Sequence, residues 1–406
     1  MVSEINNNNF YTGFFKSDHL TEKDKYLFSK TPPKYKFNVI GAGIIGQEHI
    51  KVTMLEGRAK INGIFDLNEN SIENTCHFFR QEYPSNELKV YDTLESACQD
   101  SEVDGLIICT PNYTHVDIVK EAVKSGKHIL LEKPMATTLK DTWEIKEIAQ
   151  NYNSIFQIGL QYRHKPIYTE AIHEMLERKS AGNIKNISIV EHRVPFLDKV
   201  NQWNKFSEYS GGTLVEKCCH YFDLLNLFAQ SRPEKVYATG GMDVNFTDFS
   251  YKGTKSNIID NAMVTVNYEN GIKAQFQLCM FVPMFYEEIT ICGDRGRLKA
   301  YEKEDFLPIN GDRTYLEVLS GENGTAKTAV PCYPTVIQGS GHSGATYYEH
   351  KYFIDNIEGN YKATATVEEG FWSIVVGEAA ERSIKNGEVI NVSDMLEQDI
   401  YSKLLE

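Results

Sequence analysis

Long apolar runs are absent from this sequence of 406 residues. The longest apolar stretches, such as residues 105–109, are far shorter than the roughly 18 residues that a membrane helix needs. Cysteine is also scarce, with 8 residues in the chain and no C-x-x-C pair of the zinc-binding type. The sequence therefore excludes a membrane span and a disulfide-stapled scaffold, and its cysteines are expected to be reduced.

An excess of positive charge is missing as well. The chain has 42 Lys and Arg against 56 Asp and Glu, a formal net charge of −14, so no domain-wide basic field is available to hold a phosphate backbone. The first segment contains no apolar signal core and no arginine before Arg58, which argues against a secretory or transit peptide. We therefore expect a cytoplasmic protein whose partners are small molecules or other proteins, not nucleic acid or a membrane.

Two halves with different patterns follow a polar N-terminal extension, residues 1–33, which is either a disordered tail or an ordered arm. From Tyr35 short apolar runs alternate with helix-like stretches, a βαβ rhythm that predicts a parallel sheet with helices on both faces. The predicted strands are 37–40, 61–65, 105–109, 128–131 and 155–158, and the predicted helices are 46–55, 71–83, 114–125 and 138–151.

The rhythm changes after Gly159. The second half is predicted to be α+β with a mainly antiparallel sheet, because helices are followed there by consecutive strand-like segments. Its predicted helices are 166–178, 220–228, 349–358 and 368–385, and its predicted strands are 235–239, 262–268, 273–279, 287–292 and 297–301.

A glycine-rich loop, Gly41-Ala42-Gly43-Ile44-Ile45-Gly46, joins the first predicted strand to the first helix. Strand, G-x-G-x-x-G and helix in this order form the dinucleotide-binding fingerprint, in which the glycines allow a tight turn and a close approach of the pyrophosphate. Asp66 ends the second predicted strand about 20 residues after the loop, where a carboxylate binds ribose hydroxyls and repels a 2′-phosphate. Because no arginine adjoins Asp66, the sequence predicts NAD as cofactor and makes NADP less favoured.

Two further loops follow strands of the same predicted sheet. They are Thr110-Pro111-Asn112-Tyr113-Thr114-His115 and Glu132-Lys133-Pro134, and ligands of open α/β sheets bind at such strand ends. Either loop alone fits an ordinary turn, since Thr-Pro-Asn commonly turns a chain and a lone lysine is normally solvated. Near a cofactor, however, desolvation and neighbouring cations can lower the pKa of Lys133 enough for it to accept a proton.

Glu216, His220 and Asp223 follow the pair Gly211-Gly212 at helix spacing. Steps of four and three predict that the three side chains share one helical face, where a carboxylate can raise the basicity of an imidazole and fix its tautomer. The structural alternative is a salt-bridged pair on a helix. No metal site is predicted, because no second ligand cluster accompanies the adjacent Cys218, Cys219 and His220.

Together these motifs resemble the Gfo/Idh/MocA oxidoreductase family, the group of glucose–fructose oxidoreductase and inositol dehydrogenase. The resemblance extends from Lys36 to Val392 and includes residues 293–298 and the last predicted helix. It implies a Rossmann dinucleotide-binding domain at 34–157 and a substrate-binding and oligomerisation domain at 158–406. It also implies a homodimer or homotetramer that uses NAD(P) to oxidise a CH–OH group of a sugar, inositol or related polyol, or to reduce the matching ketone.

The family's catalytic lysine corresponds to Lys133, and its acid-x-x-x-His pair corresponds to Glu216 and His220. The resemblance therefore implies that these three residues bind the substrate and carry the catalysis. Aspartate is usual at Glu216 and glycine at Cys218, and the longer glutamate bears on the geometry of the substrate. Further substrate-binding candidates are Arg163, for which a structural role is the alternative, and His342. The residues expected at the cofactor are Gly41, Gly43, Ile44, Ile45, Gly46, Asp66, Thr110, Pro111, Asn112, His115, Glu132 and Lys133.

Three activities fit these residues, of which an NAD-dependent dehydrogenase is the leading hypothesis. A redox-neutral enzyme that retains its NAD would oxidise a glycoside transiently and cleave it by elimination, without accumulating NADH. A non-catalytic NAD-binding regulator would have no use for Lys133, Glu216 and His220, because a sensor does not need to move protons. Whether Lys133 or His220 is the immediate base stays open at this point.

Overall fold

The computed structural model describes residues 32–304, 313–321, 324–360 and 365–400. Residues 1–31, which make up nearly all of the predicted N-terminal extension, lie outside the described part of the chain. All eight cysteines are free thiols. No helix of the described residues is long and apolar enough to cross a membrane.

The first sheet is parallel and has six strands in the order β3-β2-β1-β4-β5-β6. This order is that of the Rossmann fold, so the predicted parallel sheet is confirmed. The strands are β1 (Tyr35–Ile40), β2 (Ala59–Phe65), β3 (Lys89–Val90), β4 (Gly105–Ile108), β5 (His128–Glu132) and β6 (Phe156–Gly159). The helices between them are α1 (Ile44–Glu56), α2 (Glu69–Glu82), α3 (Leu94–Gln99), α4 (His115–Ala122) and α5 (Leu139–Gln150).

Both faces of this sheet are buried, as a parallel sheet requires. Side chains alternate along each strand, so Ile108 and Leu131 belong to one apolar cluster while Ile107 and Leu130 belong to another. The strand order reverses between β1 and β4. Ligands of such folds bind at this crevice, beyond the carboxyl ends of the strands.

The second sheet has nine strands in the order β16-β15-β14-β13-β7-β12-β11-β8-β17. Strands β7 and β12 pair in parallel, and the other described pairings of this sheet are antiparallel, which confirms the predicted mainly antiparallel sheet. The strands are β7 (Ile184–His192), β8 (Pro233–Gly241), β11 (Asn261–Tyr268), β12 (Lys273–Cys279), β13 (Phe285–Gly293), β14 (Gly296–Glu304), β15 (Thr314–Ser320), β16 (Thr325–Ala329) and β17 (Ile390–Asn391), and a separate hairpin consists of β9 (Ser250–Tyr251) and β10 (Thr254–Lys255).

Eight α-helices follow the first sheet in the described residues. Of these, α9 packs against β7, and α12 packs against both α9 and β8. The helices are α6 (Pro166–Ile172), α7 (Ser207–Ser210), α8 (Thr213–Glu216), α9 (Cys219–Ala229), α10 (Thr335–Gln338), α11 (Ala345–Ile357), α12 (Val367–Asn386) and α13 (Val392–Asp399).

The sequence pattern did not reveal β7, although this strand lies between β12 and β13 in the middle of the sheet. Its apolar residues Ile187 and Ile189 alternate with polar ones, so its hydrophobic signal is weaker than that of the first sheet's continuous apolar strands. Helix α11 also differs from its prediction, because it begins at Ala345 rather than at residue 349.

The second sheet is covered on one face and open on the other. Along β11 buried and exposed residues alternate, and the outward side includes Met263, which is 64% exposed, and Tyr237 on β8, which is 43% exposed. An open sheet face is compatible with the homo-oligomer that the resemblance implies. That assembly stays a prediction.

We expect Ile189→Ala to lower the free energy of unfolding by about 2–5 kcal/mol, because a fully buried side chain in the central strand leaves a cavity. The matched control Met263→Ala, on the open face, should change it by less than about 0.5 kcal/mol. Chemical denaturation measures both. Equal stability of the two variants would contradict the central position of β7.

Candidate functional site

The glycine-rich loop connects β1 to α1 and requires glycine at two positions. Gly41 has a φ of +103°, and a Cβ there would lie 2.6 Å from the carbonyl carbon of Cys109. A Cβ on Gly46 would lie 2.1 Å from the carbonyl oxygen of Gly41. At Gly43, by contrast, a Cβ would meet no atom within 4 Å, so open space lies directly before the helix.

Helix α1 presents its N-terminus to that space. Gly43 is the N-cap, no side chain caps the helix, and its first turn contains no acidic residue. The first N–H groups are therefore available to an anion, which the helix dipole also favours. Ile44 is exposed and Ile45 is half-buried beside them.

Asp66 lies beside this loop, at the end of β2. Its Oδ2 accepts a hydrogen bond of 2.7 Å from the Ala42 N–H, and its Oδ1 accepts one of 2.8 Å from the Asn68 N–H. Leu67, the next residue, is 90% exposed. The open space, the uncapped helix and the carboxylate fit a dinucleotide.

The loop after β4 supplies a further group that fits a ligand. The side chain of Asn112 is buried, and its Nδ2 has no hydrogen-bond partner in the described structure, whereas buried polar groups are normally paired. Thr110 in the same loop differs from Asn112, because its Oγ1 already accepts a hydrogen bond from Thr114 Oγ1 at 2.8 Å. Pro111 precedes the helical turn that carries Asn112.

His115 joins the two loops rather than facing open space. Its ring nitrogens lie 2.9 Å from the carbonyl oxygen of Pro134 and 3.1 Å from that of Thr110. Burial lowers the pKa of His115. Its ring therefore holds the two loops together, and its contact with the cofactor stays a prediction.

Glu132 also turns inward. Its Oε1 lies 2.9 Å from His49 Nε2, and its Oε2 accepts a hydrogen bond of 3.0 Å from the Lys133 N–H. This carboxylate therefore fixes the backbone of Lys133 and pairs with His49. Its contact with the cofactor stays a prediction.

Lys133 reaches from the end of β5 to the second half of the chain. Its Nζ donates a hydrogen bond of 2.9 Å to the Glu216 carbonyl oxygen and lies 3.9 Å from Glu216 Oε1. Lys199 Nζ lies 3.3 Å from the same Oε1. Although burial acts in the opposite direction, the two lysines lower the pKa of Glu216 to about 2.

The expectation of a lowered pKa at Lys133 is wrong for this structure. Burial does lower the pKa of Lys133. The nearby Glu216 carboxylate and several weaker interactions raise it by more, so the net pKa is above the ordinary value. Lys133 is therefore an ammonium cation.

The expected shared face of Glu216, His220 and Asp223 is also wrong. Helix α8 ends at Glu216 and α9 begins at Cys219, so the three residues do not belong to one continuous helix. His220 makes no hydrogen bond to Glu216, and its Nδ1 has no partner among the described residues. Burial and then Lys133 hold the pKa of His220 well below its ordinary value, so no carboxylate raises its basicity.

Arg163 binds acids in the interior. Its guanidinium pairs with Asp223 of α9 and lies 2.8 Å from Glu369 Oε1 of α12, and its side chain is 5% exposed. This geometry favours the structural alternative over a substrate contact.

A cavity of about 330 Å³ lies beside Tyr162. His220 stacks on the ring of Tyr162 at 3.9 Å, Lys217 Nζ donates a hydrogen bond of 2.6 Å to the Tyr162 hydroxyl, and His342 Nδ1 lies 2.7 Å from Glu48 Oε1. The sequence analysis had singled out His342 alone among the lining residues. The cavity is lined by Tyr162, Lys165, Arg193, Val194, Lys217, Phe285, Glu304, His342 and Ser343.

Sequence reasoning missed Tyr162, Lys165, Lys199 and Lys217 at this site. Two of them flank residues that had been noticed, since Tyr162 precedes Arg163 and Lys217 follows Glu216. Neither motif spacing nor periodicity indicates Lys199, which lies on the connection between β7 and α7.

Two models of one family, GFO_IDH_MocA, match the chain. The model described as "Oxidoreductase family, NAD-binding Rossmann fold" matches residues 35–160. The model described as "Oxidoreductase family, C-terminal alpha/beta domain" matches residues 173–392. The two matched segments contain every described strand of the first and of the second sheet.

Several proteins with similar sequences or structures are oxidoreductases by name. The uncharacterized oxidoreductase YrbE of Bacillus subtilis is 27% identical over 64% of this chain and 72% of its own length. A myo-inositol 2-dehydrogenase of Thermotoga maritima is 21% identical over 89% of this chain and 99% of its own. A solved structure of levoglucosan dehydrogenase with NADH and levoglucosan has a TM-score of 0.75, with 17% identity over 88% of this chain and 99% of that one, a likeness that shows the fold alone.

We expect Arg163→Met to lower the free energy of unfolding by about 3–5 kcal/mol, because it leaves the buried Asp223 without its partner. Arg382 is the matched control, since it also pairs with two acids but is 30% exposed. Arg382→Met should cost less than about 1 kcal/mol. A stable Arg163→Met variant with a raised KM would show instead that Arg163 binds the substrate.

Proposed function

The chain belongs to the Gfo/Idh/MocA oxidoreductase family, and on that premise we propose that it is an NAD-dependent dehydrogenase of a sugar, inositol or related polyol. It would oxidise a CH–OH group or reduce the matching ketone. The observation that carries this proposal is the pairing of the buried Glu216 with Lys133 and Lys199, which lies at the carboxyl end of β5 in the NAD-binding sheet. Residues 34–157 would hold the cofactor and residues 158–406 the substrate.

NAD would be held by the first sheet's loops. The diphosphate fits the open space before α1, the ribose hydroxyls fit the Asp66 carboxylate, and the exposed side chain of Leu67 offers an apolar surface for the adenine. Asn112 has an unpaired amide that can donate to the cofactor. When bound, NAD supplies the hydride acceptor.

Lys133 would bind the reacting oxygen as a cation. Its pKa is raised by Glu216, so it carries a positive charge and donates hydrogen bonds. An ammonium group fixed in place before the reaction stabilises the negative charge that develops on the substrate oxygen. Glu216 holds the Lys133 side chain in position, and Lys199 binds the same carboxylate oxygen of Glu216.

His220 would accept the substrate's hydroxyl proton. Its lowered pKa keeps the imidazole neutral, so one ring nitrogen has a lone pair, whereas the protonated Lys133 has none. The structure thus favours His220 as the base and Lys133 as its electrostatic partner. The stack with Tyr162, which lines the cavity, supports a role for His220 close to the substrate.

The cavity offers donors that suit a polyhydroxylated substrate. Lys165, Lys217 and Arg193 supply N–H groups, and Tyr162 supplies a hydroxyl and an aromatic ring. The similarity to a myo-inositol 2-dehydrogenase supports this substrate class.

Cofactor preference provides the first test. Purified protein should bind NADH more tightly than NADPH in a calorimetric titration, and Asp66→Ser should narrow the difference, because the carboxylate that repels a 2′-phosphate is gone. Asp117→Ser, on the exposed side of α4, is the control and should leave the ratio unchanged. Tighter binding of NADPH by the unmodified protein would overturn the assignment.

The roles of Lys133 and His220 provide the second test. Lys133→Met and His220→Gln should each lower kcat by roughly 10²- to 10⁴-fold while NADH binding persists, because both groups act at the reacting oxygen. Lys120→Met, an exposed lysine of α4, should keep full activity. Substrates come from a screen of sugars, inositols and glycosides in which NADH and product are both followed.

Three results of the screen and of the variant measurements would contradict the proposal. Product without accumulated NADH would indicate the redox-neutral elimination, and NAD binding without any turnover would indicate the regulator. Near-normal kcat in both variants would remove Lys133 and His220 from the chemistry, provided that unchanged melting temperatures show intact folds.

A further inference from the structure

A second cluster of titratable side chains lies outside the proposed active site. It consists of His49 on α1 and of Glu349 and His350 on α11, whose side chains are at most 1% exposed. One potential ligand atom from each lies within 4.8 Å of the others. The proposed dehydrogenase chemistry gives none of the three a role.

The hydrogen bonds around Thr53 fix the tautomer of His350. Thr53 Oγ1 donates its proton to the His49 carbonyl oxygen at 2.8 Å. The same oxygen lies 3.2 Å from His350 Nδ1, so it must accept a proton from that nitrogen. His350 Nε2 is then left with a free lone pair, and it points at His49 Nδ1, 2.6 Å away.

His49 is oriented in the same way from its other side. Its Nε2 donates to Glu132 Oε1 at 2.9 Å, which leaves Nδ1 to face His350. Histidines that bind metals show this arrangement, in which the outer nitrogen is held by a carboxylate or another acceptor and the inner nitrogen faces the ion.

Glu349 supplies the second, independent observation. Its side chain is 1% exposed, and neither of its carboxylate oxygens has a hydrogen-bond partner among the described residues. Buried carboxyl oxygens are rarely left unpaired. A cation between the two inner nitrogens would give Glu349 a partner.

We propose that His49, His350 and Glu349 form a buried site for a divalent transition-metal ion. Two imidazoles and one carboxylate are ligands that Zn²⁺ accepts readily. The fourth position would be taken by water. With Glu132 and Glu349 ionised and both imidazoles neutral, the charges of the ion and its surroundings sum to zero.

Metal binding replaces the proton between the two imidazoles. The His49–His350 hydrogen bond breaks and that proton leaves to solvent, as does the carboxyl proton of Glu349, whose pKa burial raises well above its ordinary value. Two nitrogen–metal bonds of about 2.0–2.1 Å and one bond from a Glu349 oxygen to the ion form. No electron is transferred, so no oxidant is needed. The ion would tie α1, which opens at the cofactor loop, to α11, and His49 would pass that restraint through Glu132 to the backbone of Lys133.

Zinc loading of the full-length protein tests this site. The chain is purified without a metal-binding tag, treated with EDTA, exposed to ZnCl₂, desalted and analysed for metal by mass spectrometry. We expect one zinc per chain and a higher melting temperature than that of the EDTA-treated protein. Zinc below a tenth of an equivalent would overturn the proposal.

Two single variants, Glu349→Gln and His350→Gln, assign the site. Each should lose most of the bound zinc and of the gain in melting temperature. The control is His173→Gln, which removes a histidine from an exposed His173–Glu177 pair and should keep one zinc. Full zinc in both Glu349→Gln and His350→Gln would place the metal elsewhere and refute the site.

A third measurement serves if either variant fails to fold. Co²⁺ bound to the unmodified protein should give intense d–d absorption bands of a four-coordinate ion, which Zn²⁺ then abolishes. Co²⁺ spectra identical to those of the ion in buffer would refute the site without any variant. NAD binding is measured in parallel, because its loss would concern the proposed dehydrogenase and not the metal.

Discussion

The burial of Glu216 between Lys133 and Lys199 is the interaction on which the geometry of the candidate site depends. Lys133 extends from the first sheet, whereas Glu216 ends a short helix of the second half. Removing the acid would leave two nearby cations without a counter-charge in a largely buried place, which is strongly unfavourable. The Lys133–Glu216 pair therefore fixes the position of the two halves relative to each other at this point. It also keeps Lys133 protonated at the end of β5, in the sheet that carries the glycine-rich loop.

Charged pairs continue behind the cavity. Lys165 binds Glu287 and Glu302, and Lys217 lies 3.3 Å from Glu191 Oε1. The acids are almost fully buried, while Lys165 and Lys217 line the cavity. Such pairs contribute little net stability because desolvation offsets their attraction. What they provide is orientation, since each lysine reaches the cavity in a fixed position before a ligand arrives.

Glu132 connects the two sites that this structure suggests. One oxygen holds the Lys133 backbone and the other holds His49. A single carboxylate thus links the proposed chemistry at the end of β5 with the cluster between α1 and α11. A metal ion that restricts the motion of His49 would also restrict the motion of Lys133. The restraint would pass through the His49–Glu132 and Glu132–Lys133 hydrogen bonds, without any contact to the substrate.

The sequence by itself determined the Rossmann sheet, the glycine-rich loop, Asp66 and the position of Lys133. These features depend on local patterns, because continuous apolar strands, a glycine fingerprint and strand ends are read within short windows. Only the tertiary structure decided what the charged residues do. Glu216 pairs with Lys133 and not with His220, and Arg163 pairs with Asp223. His49 contacts His350, which lies 301 positions away in the sequence. Which charges become neighbours depends on how the two halves pack, and burial strengthens each such contact, so no spacing along the chain predicts it.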